Sequence, residues 1–316
     1  MRHLPEVFKA LSDPTRLRLL RVLDGTELHV NELVEILALP QPTISRHLGL
    51  LLRAGLVGRR RDGMWTFYSA SFGAGGPAER GFGAALRLQV REQPDERADL
   101  ERLETCLASR AQRSRDFYAR VAPTWDRVRA GLDVEGLQGQ VLGGLLRGDL
   151  DLVDAGTGTG AMLPLLAPAA RRLFGVDHSP EMLDEARRRL SPENAPRIVL
   201  VRADLAALPF ADATVDGVCS VLALHHVSRP AAVIAEFARV VRPGGRVVVS
   251  DFVQHGEEWM RDQLAHVWLG FPPERVHDWF AAAGLEQVRI GTIRRRRSTD
   301  GTSGPDAWVV HGRRPG

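Results

Sequence analysis

The sequence predicts two unlike domains in series: a small helical domain closed by a β-hairpin, then a larger α/β domain on a mainly parallel sheet. Three observations carry this expectation. The chain has 316 residues, more than the about 100–200 of one ordinary domain. Apolar residues near the N-terminus recur in three- and four-residue steps, the helical period. From Leu150 onward short apolar runs alternate with helical patterns, as in strands joined by crossover helices. With 44% hydrophobic and 26% charged residues, the composition matches a soluble globular average. The most apolar stretch, Ala161–Ala170, is about half the length of a membrane span and contains Pro164 and Pro168. The opening MRHLPEVFKALSDP is charged throughout and reads as no secretory signal. The two cysteines, Cys106 and Cys219, exclude a disulfide framework or a cysteine-rich metal site. They suit a reducing cytoplasm.

Net charge is only +3, and Lys9 is the sole lysine. Two arginine runs, Arg59–Arg61 and Arg294–Arg297, permit nucleic-acid binding without demonstrating it; a solvated face is the alternative.

The elements follow in order. Val7, Leu11, Leu17, Leu19, Leu20 and Val22 lie at helical spacing, and Asp13-Pro14 marks a restart with Asp as N-cap and Pro at the first helical position. A second helix is expected at Val30–Leu37. Leu39-Pro40-Gln41-Pro42 breaks the chain, and a third helix resumes with Ile44, Leu48, Leu51 and Leu52 on one face and Gly55 beyond its end. Asp62-Gly63 predicts a tight turn with both central residues at positive φ, pairing Val57–Arg60 with Trp65–Tyr68. Helix, helix, turn, helix, hairpin is the order of a winged helix-turn-helix, whose post-turn helix enters the major groove of double-stranded DNA. Gln41, Thr43, Ser45 and Arg46 would meet base edges, and Arg59, Arg60 and Arg61 would grip phosphates or reach into a narrow minor groove. A small interaction domain with an arginine-solubilised hairpin is the competing reading.

FKALSDPTRLRLLRVL, LPQPTISRHLGLLLRAGLV and the hairpin resemble the ArsR family of winged-helix repressors. The resemblance implies a homodimer on a palindromic operator. Metal-sensing members carry a Cys-x-Cys pair at the start of the second motif helix. Here that stretch reads Leu28-His29-Val30-Asn31-Glu32-Leu33, with no thiolate for a soft metal, so no metal is expected and His29 reads as a helix-start residue.

The domain boundaries expected are 1–72 for the winged helix, 73–114 for a connector or dimerisation region, and 115–316 for the α/β domain. Residues 71–84 read as a flexible Gly-rich junction. A helix is expected around Leu86–Glu92, with Asp95 capping a further helix that carries Leu100, Leu103 and Leu107. Phe117, Tyr118 and Trp125 read as packing residues with a secondary role as a lid over a cofactor.

In the second domain, LDLVDAGTGTGAML is a strand, a glycine loop and a helix start. The second strand ends at Asp177 before a helix opened by Ser179-Pro180-Glu181; the third ends near Asp204; VDGVCSVLALHHV and VVRPGGRVVVSDFV hold the fourth and fifth. LEQVRIGTI and DAWVVHGR are the final two. Ligands of such sheets bind beyond the strands' carboxyl ends. Gly156-x-Gly158-x-x-Ala161 with Asp177 also fits a dinucleotide fingerprint, so NAD competes. Asp154, two residues before the first glycine, suits an ammonium-bearing ligand, and Asp204 can accept from an adenine amino group.

DAGTGTG, VDHSPEML, ADLAALPF, LHHV and RPGGRVVVSDF resemble class I S-adenosylmethionine-dependent methyltransferases, especially the ubiquinone/menaquinone group. The resemblance implies a Rossmann-like sheet of seven strands, the last antiparallel. It assigns Gly156, Gly158 and Gly160 to close backbone approach, Asp177 to the ribose hydroxyls, Asp204 with Leu205 to the adenine, and Asp154 and Ser220 to the methionine amine and carboxylate. His225, His226 and His266 are base candidates, of which His226 and His266 are the catalytic choices. The whole chain resembles ArsR-type regulators that respond to S-adenosylhomocysteine. The expected function is therefore a DNA-binding regulator with S-adenosylmethionine or S-adenosylhomocysteine as effector, the alternative being an active methyltransferase.

Overall fold

The computed structural model describes residues 4–72, 77–91, 97–125, 149–191, 193, 195–293 and 304–316. It divides into two compact units, Met1–Arg110 and Ala111–Gly316.

The first unit opens with α1 (Leu4–Leu11) and α2 (Pro14–Val22). The Asp13 side chain accepts from the Arg16 amide at 3.2 Å, the cap that the Asp-Pro step predicts. A short strand β1 (Leu28–His29) leads into α3 (Val30–Leu37), where His29 and Glu32 form a reciprocal capping box. Helix α4 (Gln41–Arg53) ends before Gly55, which takes a φ of +69°. Strands β2 (Val57–Asp62) and β3 (Trp65–Ala70) then form the hairpin, and the sheet order is β1-β3-β2.

Two expectations need correction here. Asp62 pairs with Trp65, so the turn residues are Gly63 and Met64, and of these only Gly63 has a positive φ. Asp62 stays in the ladder because its fully buried carboxylate meets Arg60 at 3.1 Å. The connector also differs. Helix α5 (Pro77–Arg91) begins inside the expected junction, and α6 (Arg97–Val121) follows. Phe82, Leu86 and Val90, at four-residue steps, pack on the same core as Leu19, Leu33 and Leu48, which offsets the weak helix propensity of Gly81 and Gly83. Leu103 and Leu107 join that core. The connector's helices thus belong to the first unit as far as Arg110. The expected Asp95 cap, Glu92 and the run Arg294–Arg297 lie outside the described residues.

The second unit contains β4 (Leu150–Ala155), α7 (Leu163–Leu166), β5 (Ala170–Asp177), α8 (Pro180–Arg189), β6 (Ile198–Arg202) and β7 (Val215–Val221). It continues with α9 (Pro230–Val240), β8 (Val241–Phe252), α10 (Trp259–Leu264), α11 (Pro273–Ala282), β9 (Glu286–Ile293) and β10 (Ala307–Arg313). Its seven-stranded sheet has the order β6-β5-β4-β7-β8-β10-β9. The chain reverses direction along the sheet at β4 and β7, and β10 runs opposite to the other six strands. Leu152, Leu163, Leu166, Leu173 and Phe252 fill the core. The glycine loop therefore sits at the switch point where open α/β sheets bind ligands. The expected helix after that loop shrinks to the single turn of α7, because Pro168 cannot continue it.

Candidate functional site

The loop after β4 is built from the backbone outward. Gly156, Gly158 and Gly160 have φ values of +80°, +52° and +80°, a region costly for any residue with a Cβ. A Cβ at Gly156 would come 2.5 Å from that of Ala223, and one at Gly160 would meet Leu163 and Ala186 at 3.0 and 3.1 Å. At Gly158 the space is open, with Trp125 Nε1 as the neighbour at 4.0 Å. The outer two glycines let the loop lie against its own walls, and the middle one leaves room beside the Trp125 indole nitrogen.

Asp177, at the end of β5, accepts from the Gly158 amide at 2.9 Å and the Ser179 amide at 3.0 Å. His178 Nδ1 stands 3.3 Å away. A carboxylate offers about four lone-pair positions, so both oxygens retain capacity for a ligand's hydroxyls. Asp204 is exposed and accepts from the Ala206 amide at 2.8 Å, while Leu205 is buried beside it. Ser220 is fully buried, and its Oγ has no hydrogen-bond partner. Such an orphaned hydroxyl calls for a missing partner.

Asp154 behaves differently from expectation. It is 1% exposed and accepts from Thr157 Oγ1 at 2.6 Å. It braces the loop from within the sheet rather than presenting its charge to an amine. Cys219 Sγ lies 3.7 Å from the same carboxylate; burial, then Asp154, push its thiol pKa well above the ordinary value, leaving an unreactive core residue.

Residues from α6 complete the site, and the sequence marked them only as packing or lid candidates. Tyr118 lies edge-on to Trp125 at 5.1 Å, to His178 at 6.2 Å and to His226 at 4.9 Å. Its hydroxyl bonds His226 Nε2. His226 and His266 are 8% and 5% exposed. Burial, reinforced by His225, holds both well below the usual imidazole pKa, so both are neutral at pH 7. His225 donates through Nδ1 to Asp251 at 2.7 Å. Asp251 lies within the RPGGRVVVSDF motif, which assigns it no role; that role depends on β8 packing against the turn after β7.

In the first unit α4 turns Ile44 and Leu48 into the core and leaves Gln41, Ser45 and Arg46 exposed, with Thr43 half-buried. The four polar candidates thus share the outward side of one helix. The arginine run divides, as a strand's alternation requires. Arg59 and Arg61 are exposed, whereas Arg60 points inward to Glu27 at 3.0 Å and Asp62 at 3.1 Å. Arg60 therefore serves the hairpin's own ion-pair network, a correction to its expected phosphate role.

Comparison with known proteins agrees with this geometry. Residues 13–58 match the family model for bacterial regulatory proteins of the arsR family, and residues 153–249 match a methyltransferase domain model. An uncharacterised HTH-type transcriptional regulator of Methanocaldococcus jannaschii is 47% identical over 64 residues, covering 20% of this chain and 72% of that protein. The ubiquinone/menaquinone biosynthesis C-methyltransferase of Syntrophotalea carbinolica is 34% identical over 149 residues, covering 45% of this chain and 62% of the relative. A chain from the complex of the Haloferax volcanii Trm112 methyltransferase activator with a methyltransferase superposes with a TM-score of 0.51 at 21% identity, covering 63% of this chain and 98% of that one. The chain spans 29% and 44% of two further curated relatives, less than half their length. Among the described residues no helix is long and apolar enough to cross a membrane. The chain belongs to the arsR family of helix-turn-helix regulators through its first unit, and its second unit has the fold of the methyltransferase structure, with residues 153–249 matching the methyltransferase domain model.

Proposed function

We propose that the protein is a one-component transcriptional regulator, a repressor acting as a homodimer on double-stranded operator DNA in the cytoplasm. Its methyltransferase domain takes S-adenosylmethionine or S-adenosylhomocysteine as effector. Gln41, Thr43, Ser45 and Arg46 read bases from α4, while Arg59 and Arg61 contact phosphate from the hairpin.

The observation that carries the nucleoside reading is Asp177, a buried carboxylate held by two backbone amides, one of them that of Gly158 in the glycine loop. Amides hold its geometry without cancelling its charge, which suits a pair of ribose hydroxyls. Asp204 and Leu205 then border the adenine, and the Ser220 hydroxyl is a partner for the amino-acid moiety. Asp154 acts indirectly, by fixing the loop through Thr157. A dinucleotide is disfavoured because the loop opens onto one helical turn, α7, rather than the long helix whose N-terminus binds a pyrophosphate. S-adenosylmethionine, when bound, supplies an electrophilic methyl group on a sulfonium; S-adenosylhomocysteine has none.

The second reading is an active small-molecule methyltransferase with an attached regulatory domain, favoured by the likeness to the quinone-pathway C-methyltransferase. His226 and His266 are its base candidates. Their burial, and the bond between His226 and Tyr118, weigh towards the sensor. Operator affinity measured with and without each nucleoside separates the readings. A sensor requires one nucleoside to shift the operator Kd about 5-fold or more, the low end of ordinary coupling. No shift with either, together with methyl transfer to a demethylmenaquinone, would establish the enzyme instead.

A further inference from the structure

Three histidines of the second unit converge in its interior. His225 and His226 form the turn after β7, and His266 follows α10. One ring nitrogen from each lies within 4.8 Å of the other two, and all three side chains are buried. Ring centroids are 4.0 Å apart for His225–His226 and for His225–His266, and 4.9 Å apart for His226–His266.

Their hydrogen bonds define the tautomers. His225 Nδ1 faces the Asp251 carboxylate at 2.7 Å, so Nδ1 donates to it and Nε2 is the nitrogen left for another partner. His226 Nδ1 faces the Ala265 carbonyl at 3.4 Å, an oxygen that only accepts, so its Nε2 is the lone-pair nitrogen, towards Tyr118. His266 Nδ1 is buried with no hydrogen-bond partner. A carboxylate behind one imidazole, fixing the tautomer and raising ligand basicity, is the usual support of a metal-binding histidine. An orphaned ring nitrogen in the same cluster lacks the partner that buried polar atoms almost always have.

We propose that His225, His226 and His266 form a binding site for a divalent cation of the zinc class. Asp251 positions His225, and the Tyr118 hydroxyl yields His226 Nε2 to the ion. Three nitrogen ligands select Zn²⁺, Co²⁺ or Ni²⁺ over Mg²⁺ or Ca²⁺, which take oxygen. Nitrogens about 2.0–2.1 Å from a tetrahedral ion stand about 3.3 Å apart, so the rings close inward by roughly 1–1.5 Å on loading. The site uses neither cysteine and is separate from the start of α3, where metal-sensing relatives carry their sulfur ligands. The bound ion ties the turn after β7 to the segment after α10. The inference stands without the nucleoside assignment.

The test uses the full chain, free of any affinity tag and stripped with chelator. Co²⁺ is followed by visible d–d absorption, and Zn²⁺ by competition with a chromophoric chelator. One equivalent of Co²⁺ is expected, with the strong bands of a four- or five-coordinate nitrogen site, displaced by Zn²⁺. Zn²⁺ should also raise the melting temperature of the second unit. His266→Gln and His225→Gln should each lower affinity about 100-fold or more, and Asp251→Asn about 10–100-fold. Cys106→Ser and Cys219→Ser should bind unchanged. Uptake well below one equivalent, or binding retained in His266→Gln, overturns the site and assigns any residual metal to exposed histidines such as His277. If the variants fail to fold, the wild-type imidazole ¹⁵N resonances decide: no Zn²⁺-dependent change in three of them also overturns it.

Discussion

The two units handle their buried carboxylates in opposite ways. In the winged-helix unit each is answered by arginine: Glu32 by Arg110, Asp62 by Arg60, and Asp99 by Arg18 and Arg102. In the methyltransferase unit the carboxylates at the strands' carboxyl ends are answered by backbone amides, a hydroxyl and imidazoles. Asp177 takes two backbone amides, Asp154 a threonine hydroxyl, and Asp251 the imidazole and amide of His225. The contrast recurs within one strand, since Asp151 at the other end of β4 meets Arg171, Arg172 and Arg242. A guanidinium cancels the charge and closes the site. Amides and hydroxyls fix the carboxylate while leaving its field for a ligand or an imidazole. Carboxylates tied to arginine are accordingly structural; Asp154 braces the loop through Thr157, and Asp177 is the carboxylate to which the proposed ligand is assigned.

The largest effect expected is at Arg110. Arg110→Ala leaves Glu32 buried without its partner, at a cost of about 3–5 kcal/mol. Chemical denaturation should show this loss in the first unit, while nucleoside binding by the folded protein is retained. Next, Asp151 and Asp177 should separate cleanly. Asp151→Ala should destabilise the second unit by about 1–3 kcal/mol, moderated because Arg171 and Arg172 are half exposed and can hydrate. Asp177→Ala should weaken nucleoside binding about 10-fold or more with little change in melting temperature. Equal stability losses in both variants would erase the distinction between structural and functional carboxylates.

Acidification should act on the second unit through its neutral imidazoles. Burial, with His225 adding, depresses His226 and His266, and lowers His255 to about 4. Asp251 and Arg261 face the cluster, and Tyr118 and His178 lie beside His226. An unfolded histidine titrates near 6.5, so below that pH the unfolded chain binds protons that the folded one refuses. Stability is full above about pH 6.5 and falls as the pH drops, by at most about 1.4 kcal/mol per pH unit for each histidine. Melting of the chelated protein between pH 7.5 and 5 checks the sign; a flat profile contradicts it.

The smallest effect concerns the hairpin. Arg59→Ala with Arg61→Ala should reduce the slope of log affinity against log salt by about 2, since each phosphate no longer neutralised removes roughly 0.9. Arg60→Ala should instead reduce stability, because it abandons Glu27 and Asp62.

Much of the architecture was readable from local chemistry. Asp13-Pro14, the 30–37 helix, Gly55 and Ser179-Pro180 are each decided by capping or φ preferences within a few residues. The alternation of strands and helices dictated a parallel sheet, and the glycine loop with Asp177 marked the carboxyl ends of its strands. The hairpin turn moved by one residue because Asp62 is held by an ion pair with Arg60, two residues earlier on the same strand, that no turn preference encodes. The connector became helix from Pro77 because its apolar face finds the winged-helix core, a gain that local propensity does not contain. The same limit explains the cluster of His225, His226 and His266 with Asp251 and Tyr118. These residues come from four separate stretches of chain; the histidines read singly as base candidates and Tyr118 as a packing or lid residue, and nothing local says that they converge. Short-range preferences set which segments coil, extend or turn. The chain packing distant segments together decides which charges are cancelled and which stay available, because burial and partner distance exist only in the folded state.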